Sequence, residues 1–292
     1  MRGFPRSRGR AWLAGCASLA VLSLAPAVSA AQVLTIGLIP SEDPRVMIAD
    51  NQAFLDALAQ SLKIEIKPFV ATDYNGVIEA LRSKRLDIAF MGPFSYVLAA
   101  SVADVEAFAV AETAKQTTFY RAYIIARKDR GIHGLNDLKG KNFAFVDPSS
   151  TSGHLFPKAA LIKIGFDPDK DFAHAIFSGG HDASAIAVQN GKVDAAAIAD
   201  GLFDAAVARG VVKPEDIEIV WTSAQIPGSP FVMRRDLPAD FQKRVRDAFY
   251  AMRDIPWGSK GVLRRWEPVS DATYDVVRDA AHVLNLDLKK FR

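Results

Sequence analysis

Residues 74–90 read YNGVIEALRSKRLDIAF, and residues 181–197 read HDASAIAVQNGKVDAAA. Laid over each other at a constant offset of 107, both run as a helical stretch followed by a short apolar strand. Tyr74 falls opposite His181, and Asp87 opposite Asp194. Each unit opens its helix with a polar side chain, where the first backbone N–H groups have no intrahelical partner. A chain that builds this unit twice predicts two similar halves. If the halves face each other, the cleft between them is lined with hydrogen-bond donors.

The surrounding sequence fits the same plan. VLTIGLI (33–39) is strand-like, RVMIADNQAFLDALAQSL helical and KIEIKPFV strand-like, and LDIAFMG closes the first series. NFAFV, AHAIFS, DASAIAVQNGK and DAAAIAD continue the alternation, which predicts an α/β fold with two sheets. FYRAYIIARKD (119–129) and IEIVWTSAQIPGSPFVMRRD (217–236) are β-rich and join the halves, so the crossovers are expected there. The expected organisation is a discontinuous first lobe, 33–120 with 222–292, and a continuous second lobe, 121–221. Two helical segments, ADFQKRVRDAFYAM and YDVVRDAAHVLN, end the chain.

Composition narrows the function. Of 292 residues, 50% are hydrophobic and 24% charged, a globular mixture. Residues 1–30 stand apart. Arg2, Arg6, Arg8 and Arg10 precede the apolar run AWLAGCASLAVLSLAPAVSA, which ends in Val28-Ser29-Ala30 and reads as a secretory signal peptide. LAGC at 13–16 matches a lipoprotein-processing box, but most of the apolar run follows Cys16, which favours cleavage near Ala30 over a lipid anchor on Cys16. Removing the signal leaves 32 basic against 33 acidic residues, a net charge of −1. That balance argues against nucleic acid as a partner. Cys16 is the one cysteine, so the mature chain is expected to hold neither a disulfide nor a thiolate-bound metal. No later run approaches the roughly 18 apolar residues of a membrane span, and a periplasmic protein is expected.

The densest candidate site is DPSSTSGH, 147–154. It lacks the first glycine of a Gly-x-Ser-x-Gly nucleophile elbow. His154, His174 and His181 have no zinc-like spacing, and no phosphate-loop motif is present. Asp-Pro makes a turn, and a following Ser or Thr caps a helix. Three consecutive hydroxyls exceed one cap. The surplus can donate outward, and with the positive end of the helix they form an anion site that needs no cationic side chain. Pro157 leaves the start of that helix open. Local sequence also leaves three other residues open: Tyr74 as packing aromatic or ligand contact, Tyr120 as hinge aromatic or contact, and His181 as cap neighbour or contact.

Taken together, DYNGVIEALRSKRLDIAFMGPFSY, DPSSTSGHLFP, SGGHDASAIAVQNGKVD and IPGSP resemble the substrate-binding proteins of phosphate, phosphite and phosphonate ABC transporters. The resemblance runs from Leu34 to Arg235. It implies a two-lobed type II periplasmic-binding fold, with a mixed sheet in each lobe and two hinge crossovers. It further implies that Ser150, Thr151, Ser152 and His181 hold the ligand oxygens from the second lobe, with Tyr74 and Tyr120 opposite. No catalysis, cofactor or metal is implied. The implied partners are a small phosphorus oxyanion, a membrane permease and its ATPase, and the implied state is a monomer. Family members that take aminoalkyl phosphonates carry two carboxylates where this chain has Gly201 and Ser229; Asp200 adjoins the first. Three rival readings use the same residues: a hydrolase built on Ser150 or Ser152 with His181, a secreted pyrimidine-type synthase, and a ligand sensor for a membrane receptor.

Overall fold

In the computed structural model, Gly3 and residues 33–291 are described; the rest of the signal segment, with Cys16 and Ala30, lies outside them. From Val33 the chain alternates strand and helix. β1 (Val33–Leu38), α1 (Pro44–Leu62), β2 (Glu65–Val70), α2 (Tyr74–Arg82), β3 (Ile88–Phe90), α3 (Pro93–Val102) and β4 (Val105–Thr113) make the first series. β5 (Phe119–Tyr120) leads to β6 (Ala122–Arg127), β7 (Asn142–Phe145), α4 (Phe156–Lys163), β8 (His174–Phe177), α5 (His181–Gln189), β9 (Ala195–Ala199), α6 (Asp200–Ala208) and β10 (Ile217–Thr222). The return passes through β11 (Ile226–Pro227) to β12 (Pro230–Arg234), α7 (Ala239–Ala251), β13 (Ile255–Pro256), β14 (Val262–Pro268) and α8 (Asp275–Val283).

Among the described residues one sheet has the order β13-β14-β4-β12-β3-β1-β2 and another the order β10-β6-β9-β7-β8. Both are mixed: β2, β1 and β3 run parallel and β12 antiparallel in the first, while β8, β7 and β9 run parallel and β6 antiparallel in the second. Between the sheets, β5 and β11 form a two-stranded ribbon, Tyr120 facing Ile226. Only the start of 119–129 therefore lies in a crossover, because β6 belongs wholly to the second sheet. Likewise 217–236 divides into β10 in the second sheet, β11 in the ribbon and β12 in the first.

The internal repeat is exact at the level of hydrogen bonds. In the first half the Asp87 carboxylate accepts the Thr35 N–H at 2.8 Å, and in the second Asp194 accepts the Asn142 N–H at 2.8 Å. Both members of each pair are separated from their counterparts by the same offset of 107. Reciprocal bonds run from the Asp87 N–H to the Thr35 carbonyl and from the Asp194 N–H to the Asn142 carbonyl. The turn before each acid takes a left-handed residue, Lys84 (φ 60°) and Gly191 (φ 66°). Each acid thus ties the start of its own strand, β3 or β9, to the parallel strand beside it, β1 or β7.

Packing follows from spacing. In α1, Met47, Asn51, Phe54, Leu55, Leu58 and Leu62 recur at three and four residues and are buried. Asp43 caps the helix by accepting the Arg45 N–H at 2.8 Å, Pro44 sits in the first turn, and left-handed Lys63 ends it. Phe54 lies among the rings of Phe231, Phe249, Trp257 and Trp266, centroids 4.8–5.7 Å away. Burying one such ring contributes roughly 1.5–3 kcal/mol. The opposite face of this sheet is covered by α2, α3 and α8 through Val77, Phe94, Tyr96 and Val277.

Candidate functional site

The hydroxyl cluster follows β7. Asp147 makes a turn, its Oδ1 accepting the Ser149 N–H at 2.7 Å and its carbonyl the Ser150 N–H at 2.9 Å. Residues Thr151–Leu155 then form one wide turn, closed by the Leu155 N–H donating to the Ser150 carbonyl at 3.0 Å, before α4 starts at Phe156. Pro157 explains the widening. It has no N–H for the Gly153 carbonyl, and the Val146 N–H takes that acceptor at 2.9 Å. Gly153 is required there, since a Cβ would lie 2.4 Å from the Val146 side chain.

Ser150 is the cap, its Oγ accepting the Gly153 N–H at 3.0 Å, which leaves its O–H to donate. Thr151 Oγ1 accepts the Phe94 N–H at 2.8 Å and likewise keeps a proton. Among the described residues the Thr151 and Ser152 N–H groups have no acceptor, although all three residues are buried. A buried turn with unspent amides and hydroxyls is built to receive an anion.

Tyr74, the first residue of α2, and Tyr120, in β5, line the same cavity as Ser150, Thr151, Ser152 and His181. Burial pushes the Tyr74 phenol well above its usual range, reinforced by the Asp147 charge and opposed by the Ser150 hydroxyl. Burial also raises the Tyr120 phenol, against the opposing hydrogen bonds of Ser152 and Thr151. Both phenols keep their protons and serve as donors.

His181 opens α5, and its Nδ1 accepts the Ala199 N–H at 3.1 Å. A neutral ring bonded in this way carries its proton on Nε2. This is the reverse of a catalytic triad, in which Nδ1 donates to a carboxylate and bare Nε2 takes the serine proton. Ser150 and Ser152 therefore have no general base in His181. His154 plays no part in the cavity lining: its Nδ1 lies 2.8 Å from the Pro148 carbonyl, and its ring packs edge-on against Phe145 and Phe177. Burial lowers its pKa from 6.5 to about 4.

Gly201, Ser229 and Asp200 border the cavity together. Among the described residues, a Cβ at 201 would come within 4 Å of Gln116 Oε1, at 3.6 Å, which is ordinary contact. The Asp200 oxygens accept the Arg121 N–H at 2.9 Å and the Gly201 N–H at 2.7 Å.

The cavity sits where the two lobes meet, and several bonds cross it. The Tyr74 N–H donates to Asp147 Oδ2 at 3.3 Å, the His181 N–H to the Ser41 carbonyl at 2.8 Å, and the Asp43 N–H to Asp182 Oδ2 at 2.9 Å. Arg209 pairs with buried Glu42, which also accepts from Ser259 Oγ at 3.0 Å. The first N–H groups of α2 and α5, those of Tyr74 and His181, are thus engaged by the opposing lobe. Ser41, Gln116 and Thr117 also line the cavity and carry no motif that marks them in the sequence.

The cavity holds about 60 Å³ of free volume. One water needs roughly 10–15 Å³, so the space suits a body of four or five heavy atoms. Among the described residues no lysine or arginine lines it. Among the described residues no cluster of His, Cys, Asp or Glu is placed to hold a metal ion.

A two-lobed α/β protein with mixed sheets and a small donor-lined cavity at the lobe junction is a type II periplasmic-binding protein. Its family follows from comparison. A family profile described as "ABC transporter, phosphonate, periplasmic substrate-binding protein" matches residues 36–274. The "Phosphate-import protein PhnD" of Mycolicibacterium smegmatis is 33% identical over 275 residues, covering 86% of each chain. The "Phosphonates-binding periplasmic protein" of Escherichia coli is 31% identical over 254 residues, covering 85% of this chain and 75% of the relative. Among solved structures, a binding protein component of an ABC phosphonate transporter from Pseudomonas aeruginosa superposes with TM-score 0.78 at 28% identity, covering 86% of each chain. The chain belongs to the family of periplasmic substrate-binding proteins of phosphonate ABC transporters, which bind and do not catalyse.

Proposed function

We propose that this protein captures a small phosphorus oxyanion, namely phosphite, phosphate or a short alkyl phosphonate, in the cavity between its lobes and delivers it to a membrane permease driven by an ATPase. It works in the periplasm as a monomer, after removal of the signal ending near Ala30. The lobes, drawn at 33–120 with 222–292 and at 121–221, close over the ligand about the ribbon of β5 and β11. The observation that carries this reading is the convergence of Tyr74, Tyr120, Ser150, Thr151, Ser152 and His181 on one cavity sized for four or five heavy atoms. The two curated relatives, named for phosphate import and phosphonate binding, support the ligand class.

Energetics are adequate. A hydrogen bond to a charged acceptor contributes about 1.5–3 kcal/mol, so six donors supply roughly 9–18 kcal/mol gross. Micromolar affinity requires about −8.2 kcal/mol net, leaving the difference for closure and immobilisation. A thermal-shift panel of phosphite, phosphate, hypophosphite, methylphosphonate, sulfate and acetate on the purified mature chain tests the proposal. At least one phosphorus oxyanion at millimolar concentration should raise Tm by several degrees, with acetate inert. Stabilisation by acetate or sulfate alone would reject the ligand class.

A further inference from the structure

We propose that Glu42 and Arg209, which stand outside the ligand cavity, form a latch between the lobes that sets how long the bound anion is held. The inference rests on the functional reading above and adds to it the residues that govern release.

Glu42 lies in the loop after β1, on the lobe of the first sheet, and Arg209 ends α6, on the lobe of the second. Their side chains pair across the junction, and Ser259, from the loop between β13 and β14, donates to the Glu42 carboxylate at 3.0 Å. Glu42 is thus held by Ser259 of its own lobe and by Arg209 of the other. One residue on, the Asp43 N–H crosses to Asp182 Oδ2 at 2.9 Å. Neither Glu42 nor Arg209 is among the described residues lining the ligand cavity. A small pocket lined by Glu42 and Ser259 shares Ser41, Phe90 and Leu202 with that cavity, so the pair stands beside the site without entering it.

Burial makes the pair matter. Glu42 is 8% exposed, whereas the Arg209 side chain is 34% exposed. Desolvation pulls the guanidinium pKa down, but its bond to Glu42 and the charges of Glu42, Asp50 and Asp182 hold it above its ordinary value. A buried carboxylate is strongly destabilising once its cation is removed. Opening the lobes parts the two groups and rehydrates both, whereas closing them without Arg209 would bury the Glu42 charge with its cation gone. The pair therefore favours the closed form, and a ligand escapes only through the open one. Its effect belongs to the dissociation rate, because entry takes place before the pair has formed.

Stopped-flow mixing with methylphosphonate, beside titration calorimetry, tests this on the mature chain. Arg209→Gln, a change at a partly exposed helix end, should raise Kd about tenfold or more, through faster dissociation. The association rate should stay within about twofold of the parent. Arg209→Lys, which keeps the charge, should fall between the parent and Arg209→Gln. The double change Glu42→Gln with Arg209→Gln should release ligand about threefold more slowly than Arg209→Gln alone, since no carboxylate is then buried without its cation. Parent-like dissociation from Arg209→Gln overturns the inference, even if the Glu42 variants do not fold. A loss confined to the association rate overturns it too, by making Arg209 a steering charge. A double variant that releases ligand faster than the single one overturns it by showing that the two residues do not act as a pair. Binding of no phosphorus oxyanion by the parent overturns the functional reading itself.

Discussion

Thr151 Oγ1 accepts the Phe94 N–H from across the cleft at 2.8 Å, so one hydroxyl both holds the lobes together and faces the cavity. Thr151→Val should therefore cost twice. It strands the buried Phe94 N–H, about 1–3 kcal/mol, and removes one ligand donor of similar worth. More than tenfold weaker binding of the preferred oxyanion by calorimetry is expected, together with a lower Tm.

His181→Ala, and separately the double change Ser150→Ala with Thr151→Ala, should each weaken oxyanion binding by more than tenfold while leaving the circular dichroism spectrum unchanged. A buried anion deprived of a donor keeps its desolvation cost, again about 1–3 kcal/mol per lost partner. Affinities within threefold of the parent would remove these residues from the site.

Ligand should shut the protein. Donors on opposing lobes, Tyr74 and Tyr120 against Ser150 and His181, reach one small anion only in the closed form, in which the Tyr74 N–H meets Asp147 and the His181 N–H meets Ser41. Small-angle scattering is expected to give a smaller radius of gyration with ligand than without. An unchanged radius at saturation would contradict closure about the β5–β11 ribbon.

His154 predicts a pH dependence of stability. Unfolded, it titrates at its ordinary 6.5; folded, burial holds it to about 4. Between these values the unfolded chain binds more protons, so stability is present above 6.5 and is lost as pH falls toward 4. The full loss is about 3 kcal/mol, at 1.36 kcal/mol per unit. Denaturant melts at pH 7 and 4.5 should show it, and His154→Phe, which removes the titrating group from between Phe145 and Phe177, should show a shallower fall.

Much of this was legible in the chain itself. The 107-residue register pairs two helical stretches, whose observed bounds in α2 and α5 match at that offset, and the hydroxyl cluster and the three aromatic or imidazole candidates meet at one cavity. What stayed hidden depends on contacts between distant segments. Nothing local says that Asp147 caps a helix 73 residues away, or that Gln116 stands beside Gly201. Pro157 looked like an obstacle to a helix because the wide turn that accommodates it depends on Val146 supplying the missing donor.

Selectivity follows from size and charge. With Gly201 and Ser229 in the lining and the Asp200 oxygens turned to backbone N–H groups, an ammonium tail meets no dedicated carboxylate, and its burial costs several kcal/mol. Methylphosphonate should outcompete 2-aminoethylphosphonate by at least tenfold, about 1.4 kcal/mol, in competitive calorimetry. Equal or tighter binding of the amine would point to Asp200 as its partner, to be checked with Asp200→Asn.

The central claim, that six named side chains hold a phosphorus oxyanion between the lobes, is tested most directly by a crystal structure of the mature chain with methylphosphonate. The phosphonate oxygens should lie within about 3.2 Å of donors from Ser150, Thr151, Ser152, His181, Tyr74 and Tyr120. A ligand seated elsewhere, or an empty cavity at saturating concentration, would contradict it.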